Sequence, residues 1–250
     1  MYKKYDVIYS LGRDCSCAMY MKKRKLRMCS GPFDWLTHAG FEDRFKLMLN
    51  GFECFLDKKY LKPMPKPSQF PSDKNNAYYE NTKTGLYFWH DFPADKTFEN
   101  AYDEIKLKYE RRIKRFYDNI QNKNRVLLIW LSQIDYTPDD VVLKCCENFC
   151  AKTGKQVDFL IIEHKEGLYL REEYKLADNI QRYFGHLQQR DENGVLQTLG
   201  NQQLIKPIFK EVRLYLPFSV RVKNILIRFV CGIVPFKKWR KNIKARLMNG

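Results

Sequence analysis

Tyr5-Asp6-Val7-Ile8-Tyr9-Ser10-Leu11-Gly12-Arg13-Asp14-Cys15 opens the chain and decides its fold. Tyr5 to Ser10 gathers aromatic and β-branched residues in one short run, which predicts a buried strand. Leu11 to Asp14 is a turn around Gly12. From Cys15 to Leu26 the spacing is helical, with Ala18, Met19 and Met21 followed by the basic end Lys22-Lys23-Arg24-Lys25. Strand, glycine turn and helix together make a βα unit.

Further along, the same alternation returns. Phe41 to Leu49 has a helical apolar face in Phe41, Phe45, Leu47 and Met48. Pro63, Pro65, Pro67 and Pro71 mark Pro63 to Asn76 as a loop. Leu86 to Trp89 reads as a strand that ends at His90-Asp91-Phe92-Pro93, and Phe98 to Gln121 as a long amphipathic helix. Arg125 to Leu131 is almost wholly apolar, the mark of a strand covered on both faces. Thr137 and Pro138 suit the N-cap and first position of a helix that stops at Gly154. Val157 to Ile162 is a further buried strand and Val212 to Leu216 a last one, while Asn179 to Gln203 is polar and gives no assignment. This order predicts an α/β fold, a mostly parallel sheet flanked by helices in three layers, over residues 1–217. Residues 218–250 would form a basic amphipathic helical tail.

The chain has 250 residues and a formal net charge of +16. The aromatic content, 15%, is too high for a largely disordered chain. No apolar run is long enough to span a bilayer, and no apolar leader opens the sequence. Eight cysteines without regular spacing suggest reduced thiols in a cytoplasmic protein rather than a disulfide framework. Cys145, Cys146 and Cys150 fall in a helical pattern without a nearby histidine, so no metal site is expected there. Motifs for a phosphate loop, a dinucleotide fold, a zincin and a serine hydrolase elbow are missing from the sequence.

Functional groups of parallel sheets gather where strands end and helices begin. Cys15 falls at such a place. The unpaired N–H groups and dipole of a helix start stabilise an anion, so a thiol there is expected to ionise readily and to act as a nucleophile. The same N–H groups could receive an oxyanion. Cys17, two positions on, points elsewhere and reads as packing. A nucleophilic thiol needs a base. The histidines are His38, His90, His164 and His186. His90, beside Asp91 at a strand end, fits best, His164 comes second, and His38 follows close on the first helix. Asp34, between Phe33 and Trp35, should be hydrogen-bonded; it either orients the base or, the preferred role, holds its loop. Asp14 would cap the helix of Cys15.

Ser10-Leu11-Gly12-Arg13-Asp14-Cys15, Ala18, Leu26-Arg27, Pro32-Phe33-Asp34-Trp35 and His90-Asp91-Phe92 resemble the papain-like cysteine peptidase family of bacteria, often met among surface-polysaccharide genes. The resemblance implies Cys15 as nucleophile, His90 as base and Asp34 or Asp91 as its partner, acting on an acyl, peptide or glycan substrate without a cofactor. The glutamine and tryptophan that flank the nucleophile of papain itself have no counterparts at those places. The strand–glycine–cysteine–helix unit is also similar to a family of sugar O-acetyltransferases with a Cys/His site, which would bring coenzyme A as donor.

The segment from Phe218 onward carries nine basic residues and no acid. Lys237, Lys238, Trp239, Arg240, Lys241, Lys244 and Arg246 give it the look of an interfacial helix drawn to an anionic inner-membrane surface, each basic residue contributing about 1 kcal/mol. A nucleic-acid partner lacks any accompanying recognition motif. The remaining alternative to an enzyme is a non-catalytic scaffold of a glycan-assembly complex, anchored by this tail.

Overall fold

The computed structural model describes residues 4–67 and 72–215. A compact unit spans Met1–Leu214. The tail residues Lys237 to Arg246 lie outside the described residues.

In chain order the elements are β1 (Lys4–Tyr5), β2 (Val7–Ser10), α1 (Ser16–Lys23), β3 (Leu36–His38), α2 (Phe41–Leu49), β4 (Leu61–Pro63), β5 (Asn76–Asn81), β6 (Leu86–Pro93), α3 (Phe98–Asn122), β7 (Val126–Ser132), α4 (Asp139–Thr153), β8 (Asp158–His164), β9 (Glu172–Ala177), β10 (Ile180–Gly185), α5 (Gln202–Glu211) and β11 (Arg213–Leu214). A five-stranded sheet has the order β2-β7-β8-β10-β9. Its first four strands run parallel, and β9 closes one edge antiparallel to β10. The fold is therefore mixed α/β with a mostly parallel main sheet.

Alternation along β7 sets the two faces of that sheet. Leu127, Ile129 and Leu131 join Ile8, Leu160 and Ile162 in a core with Cys17, Tyr20 and Met21 of α1 and Ile205, Ile208 and Phe209 of α5. Tyr20 stacks on Phe209 with ring centroids 5.1 Å apart. On the other face, Leu128 and Trp130 join Tyr9, Phe159 and Ile161 under Phe45 of α2, Phe116 of α3 and Phe149 of α4. A strand with period 2 can feed two cores only when both faces are covered, and that coverage accounts for its unbroken apolar sequence.

A second sheet, order β3-β6-β5-β4, is wholly antiparallel. It corrects the sequence reading in which the strand near Phe88 belongs to the parallel sheet. Part of the expected Pro63–Asn76 loop carries β4 and β5 at its borders. The polar stretch from Asn179 holds β10, whose polarity comes from Arg182. That guanidinium is fully buried and pairs with Glu163, also fully buried, while Glu163 accepts from Trp130 Nε1 at 2.9 Å. Pairing on this scale lets a charge occupy a core strand. Thr137 is not the cap of α4; Pro138 occupies that position, and the Thr137 hydroxyl donates to Glu163 at 2.7 Å. The cysteines among the described residues are all free, and Cys146 is buried in the core.

Among the described residues, no helix is long and apolar enough to cross a membrane.

Candidate active site

The β2–α1 turn is drawn tight against its helix. A Cβ at Gly12 would sit 2.6 Å from Cys17 Cβ, so only glycine lets the strand turn this closely into α1. Cys15 is the N-cap of α1 and lacks a side-chain cap bond. The capping is done by Asp14, whose Oδ1 accepts from the Ser16 N–H at 2.7 Å.

A cleft of about 150 Å³ opens at this turn. Arg13, Asp14 and Cys15 line it together with Thr37, His38 and Trp89 of the second sheet, Gln133 and Ile134 after β7, and Leu196, Gln197 and Thr198. The thiol thus shares its cleft with His38, the histidine nearest it in sequence, and not with His90. The sequence favoured His38 only by its closeness to the first helix, because the strand that presents it is three residues long.

His38 is firmly placed. Its Nδ1 lies 3.0 Å from Thr37 Oγ1, its ring stacks on Tyr87 at 3.8 Å, and it meets Trp89 edge-on at 5.3 Å. Its backbone has φ 77°, the left-handed region that costs a non-glycine residue about 1 kcal/mol. Two arginines hold that conformation. Arg13 donates to the His38 carbonyl and also reaches Asp135 at 2.7 Å. The buried Arg44 donates to the carbonyls of Leu36, Ala39 and Arg13, at 3.2, 3.0 and 3.2 Å. The turn that carries Cys15 and the strand end that carries His38 are therefore tied to the same guanidinium groups.

The thiol is not held ionised, which corrects the expectation from its place on the helix. Burial pushes Cys15 up to about 12, and the Asp14 carboxylate adds to the rise; its own backbone N–H is the one group that favours the thiolate. Desolvation outweighs the helix terminus because the residue is only 9% exposed. His38 moves the other way. Burial, with the positive charges of Arg13 and Arg44, lowers it to about 4. At neutral pH the cleft holds a neutral thiol and a neutral imidazole.

The other expected residues serve other contacts. His90 is exposed on β6, with its ring 6.3 Å from Trp35. Asp91 pairs with Lys108 at 2.7 Å and accepts from the Tyr109 hydroxyl at 2.8 Å, fastening β6 to α3. Asp34 accepts from the Gly31 N–H at 3.0 Å and pairs with Arg27 at 2.6 Å, which holds its own loop. Cys17 is buried against β7.

A second histidine cluster lies along the same sheet edge. His164, Glu166 and His186 bring potential ligand atoms within 4.8 Å of one another. His164 Nδ1, however, accepts from the Leu187 N–H at 3.0 Å. The neutral ring must then carry its proton on Nε2, which donates to Glu166 Oε2 at 3.0 Å. A metal-bound histidine instead donates from its second nitrogen. His164 offers a cation no lone pair in this arrangement.

Among curated proteins, the chain is similar to "Uncharacterized protein R408" of Acanthamoeba polyphaga mimivirus, with 28% identity over 131 residues, or 48% of this chain and 59% of that protein. The chain thus spans less than two thirds of that relative's length. No solved structure matches. The family model described as "Putative papain-like cysteine peptidase (DUF1796)" matches residues 6–167, a segment that contains Cys15, His38 and the second sheet. With that match over more than half its length, the chain belongs to this cysteine peptidase-like family.

Proposed function

We propose that the protein is a thiol-dependent hydrolase in which Cys15 attacks an acyl carbonyl and His38 serves as the base. One observation carries the reading: Cys15 and His38 line a single small cleft, one from each sheet. The support for His38 over His90 is this shared cleft, together with the strained backbone and ring contacts that hold it there.

The chemistry follows from the neutral pair. The step uses the tautomer in which Nδ1–H donates to Thr37 Oγ1, 3.0 Å away, which leaves the Nε2 lone pair for the thiol proton. As a substrate carbonyl carbon approaches, the Cys15 proton passes to Nε2 while the S–C bond forms, so a free thiolate need not accumulate. His38 then returns the proton to the leaving nitrogen or oxygen. Water, deprotonated by the same nitrogen, cleaves the thioester. Arg13, itself paired with Asp135, lines the cleft beside this path and holds the His38 carbonyl.

Incubation with p-nitrophenyl acetate tests the reading. The expected result is a burst of nitrophenolate and an acetyl group on Cys15, located by peptide mass spectrometry, that disappears in Cys15→Ala. Acetylation spread evenly over the cysteines, or absent from Cys15, would contradict it.

A further inference from the structure

The far wall of the cleft comes from a small hairpin. Arg190 and Leu196 face each other across a single antiparallel bridge. On either side of them, the Asp191 N–H donates to the Val195 carbonyl at 2.9 Å, and the Gln197 N–H donates to the Gln189 carbonyl at 2.7 Å. In an antiparallel ladder a pair flanked in this way is the non-hydrogen-bonded kind, and its own N–H and C=O groups turn outward. Leu196 accordingly has no backbone hydrogen bond within the described residues. It is also one of the residues that line the Cys15 cleft. Its neighbour Thr198 shows how this wall is used, since its carbonyl accepts from Gln133 Nε2 at 2.8 Å.

The cleft is small. Its volume, about 150 Å³, lies below the roughly 300–1,000 Å³ of pockets that enclose a drug-sized ligand. That space takes a reacting acyl group, and the rest of a larger substrate must lie along the rim. An open N–H and C=O pair on an extended rim segment is complementary to one thing above all, another extended main chain.

We propose that Leu196 is the docking edge for an extended peptide substrate. One substrate residue pairs antiparallel with Leu196 and exchanges two main-chain hydrogen bonds with it, while the scissile carbonyl enters the cleft beside Cys15. The proposal rests on the thiol reading above and adds the substrate class. It draws on a part of the chain beyond the segment matched by the family model, which ends at residue 167. Because the contact is to backbone, it tolerates many substrate sequences. Ile134, 55% exposed on the cleft wall, offers an apolar side chain of the substrate a surface to cover.

The test compares alkylation of Cys15 by chloroacetone and by acetyl-Ala-Ala-Ala chloromethyl ketone. In both, the sulfur forms a thioether bond to carbon, chloride leaves with the electrons of the C–Cl bond, and the thiol proton passes through His38 to solvent. Two backbone bonds of ordinary net strength give the peptide reagent a rate advantage of about tenfold or more. Methylation of one particular alanine nitrogen should remove most of that gain, and methylation of the others should not. Leu196→Pro, which deletes the N–H on the edge, should cause the same loss in the ratio of the peptide rate to the chloroacetone rate. If that variant does not fold, the N-methyl series on the native chain decides. A peptide reagent no faster than chloroacetone, or one indifferent to methylation at every position, overturns the edge alone. If chloroacetone spares Cys15, the thiol reading and the edge fall together.

Discussion

His38 and His90 lie toward opposite ends of the paired strands β3 and β6, and the two ends are built differently. His38 stands opposite Leu86, four residues from His90, roughly 13 Å along an extended strand. At the His38 end the backbone is strained, two arginines grip the main chain, aromatic rings fix the imidazole, and a thiol from the other sheet lines the same cleft. At the His90 end the imidazole is exposed, and the neighbouring carboxylates are spent on Arg27, Lys108 and a backbone N–H. The first arrangement concentrates constraint on a group with no structural need for it. The second uses charge to fasten loops and a helix. Adjacency in sequence to an aspartate says little about catalysis; the neighbours across space decide.

That contrast can be broken most forcefully at His38. Its replacement by Gln should lower p-nitrophenyl acetate turnover about 100-fold, the usual worth of a positioned base, while the melting temperature stays near that of the native chain. At the other end, Asp34→Asn should cost about 2 kcal/mol of stability, because the partly buried Arg27 loses a charged partner, with Cys15 reactivity unchanged. Denaturant titration reads the first quantity and alkylation the second. Tyr87→Ala removes the ring stacked on His38 and should slow turnover about fivefold, matching about 1 kcal/mol of lost aromatic contact. The smallest effect is expected for His90→Gln, within about twofold of native turnover, the scale of a surface substitution. A large loss there with a small one at His38 would reverse the comparison.

The sequence exposed one half of this site well and the other poorly. β2, β7 and β8 are short apolar runs at the foot of helical patterns, so the parallel sheet and the Cys15 turn could be read from residue types alone. Gly12 marked the turn because its packing on Cys17 excludes any side chain. The second sheet was hidden because β3 and β4 are three residues each and flanked by proline or glycine segments. β9 was hidden by its exposed Glu-Glu-Tyr-Lys face, and β10 by a buried arginine whose partner is on another strand. The rise of the Cys15 thiol was invisible for a related reason. A helix start favours an anion, but the burial that outweighs it comes from residues remote in sequence.

The most direct measurement is the rate of Cys15 alkylation by chloroacetone from pH 5 to 11, followed on the Cys15 peptide in the native chain, His38→Gln and His90→Gln. The account predicts a native rate that is flat through neutrality, where thiol and imidazole are both neutral and the His38-assisted route carries the reaction, and that climbs only toward alkaline pH, since the thiol ionises at about 12 and the imidazole is already neutral above about 4. It predicts a fall of about tenfold or more at neutral pH in His38→Gln and an unaltered profile in His90→Gln. A neutral plateau that vanishes only with His90 would contradict it.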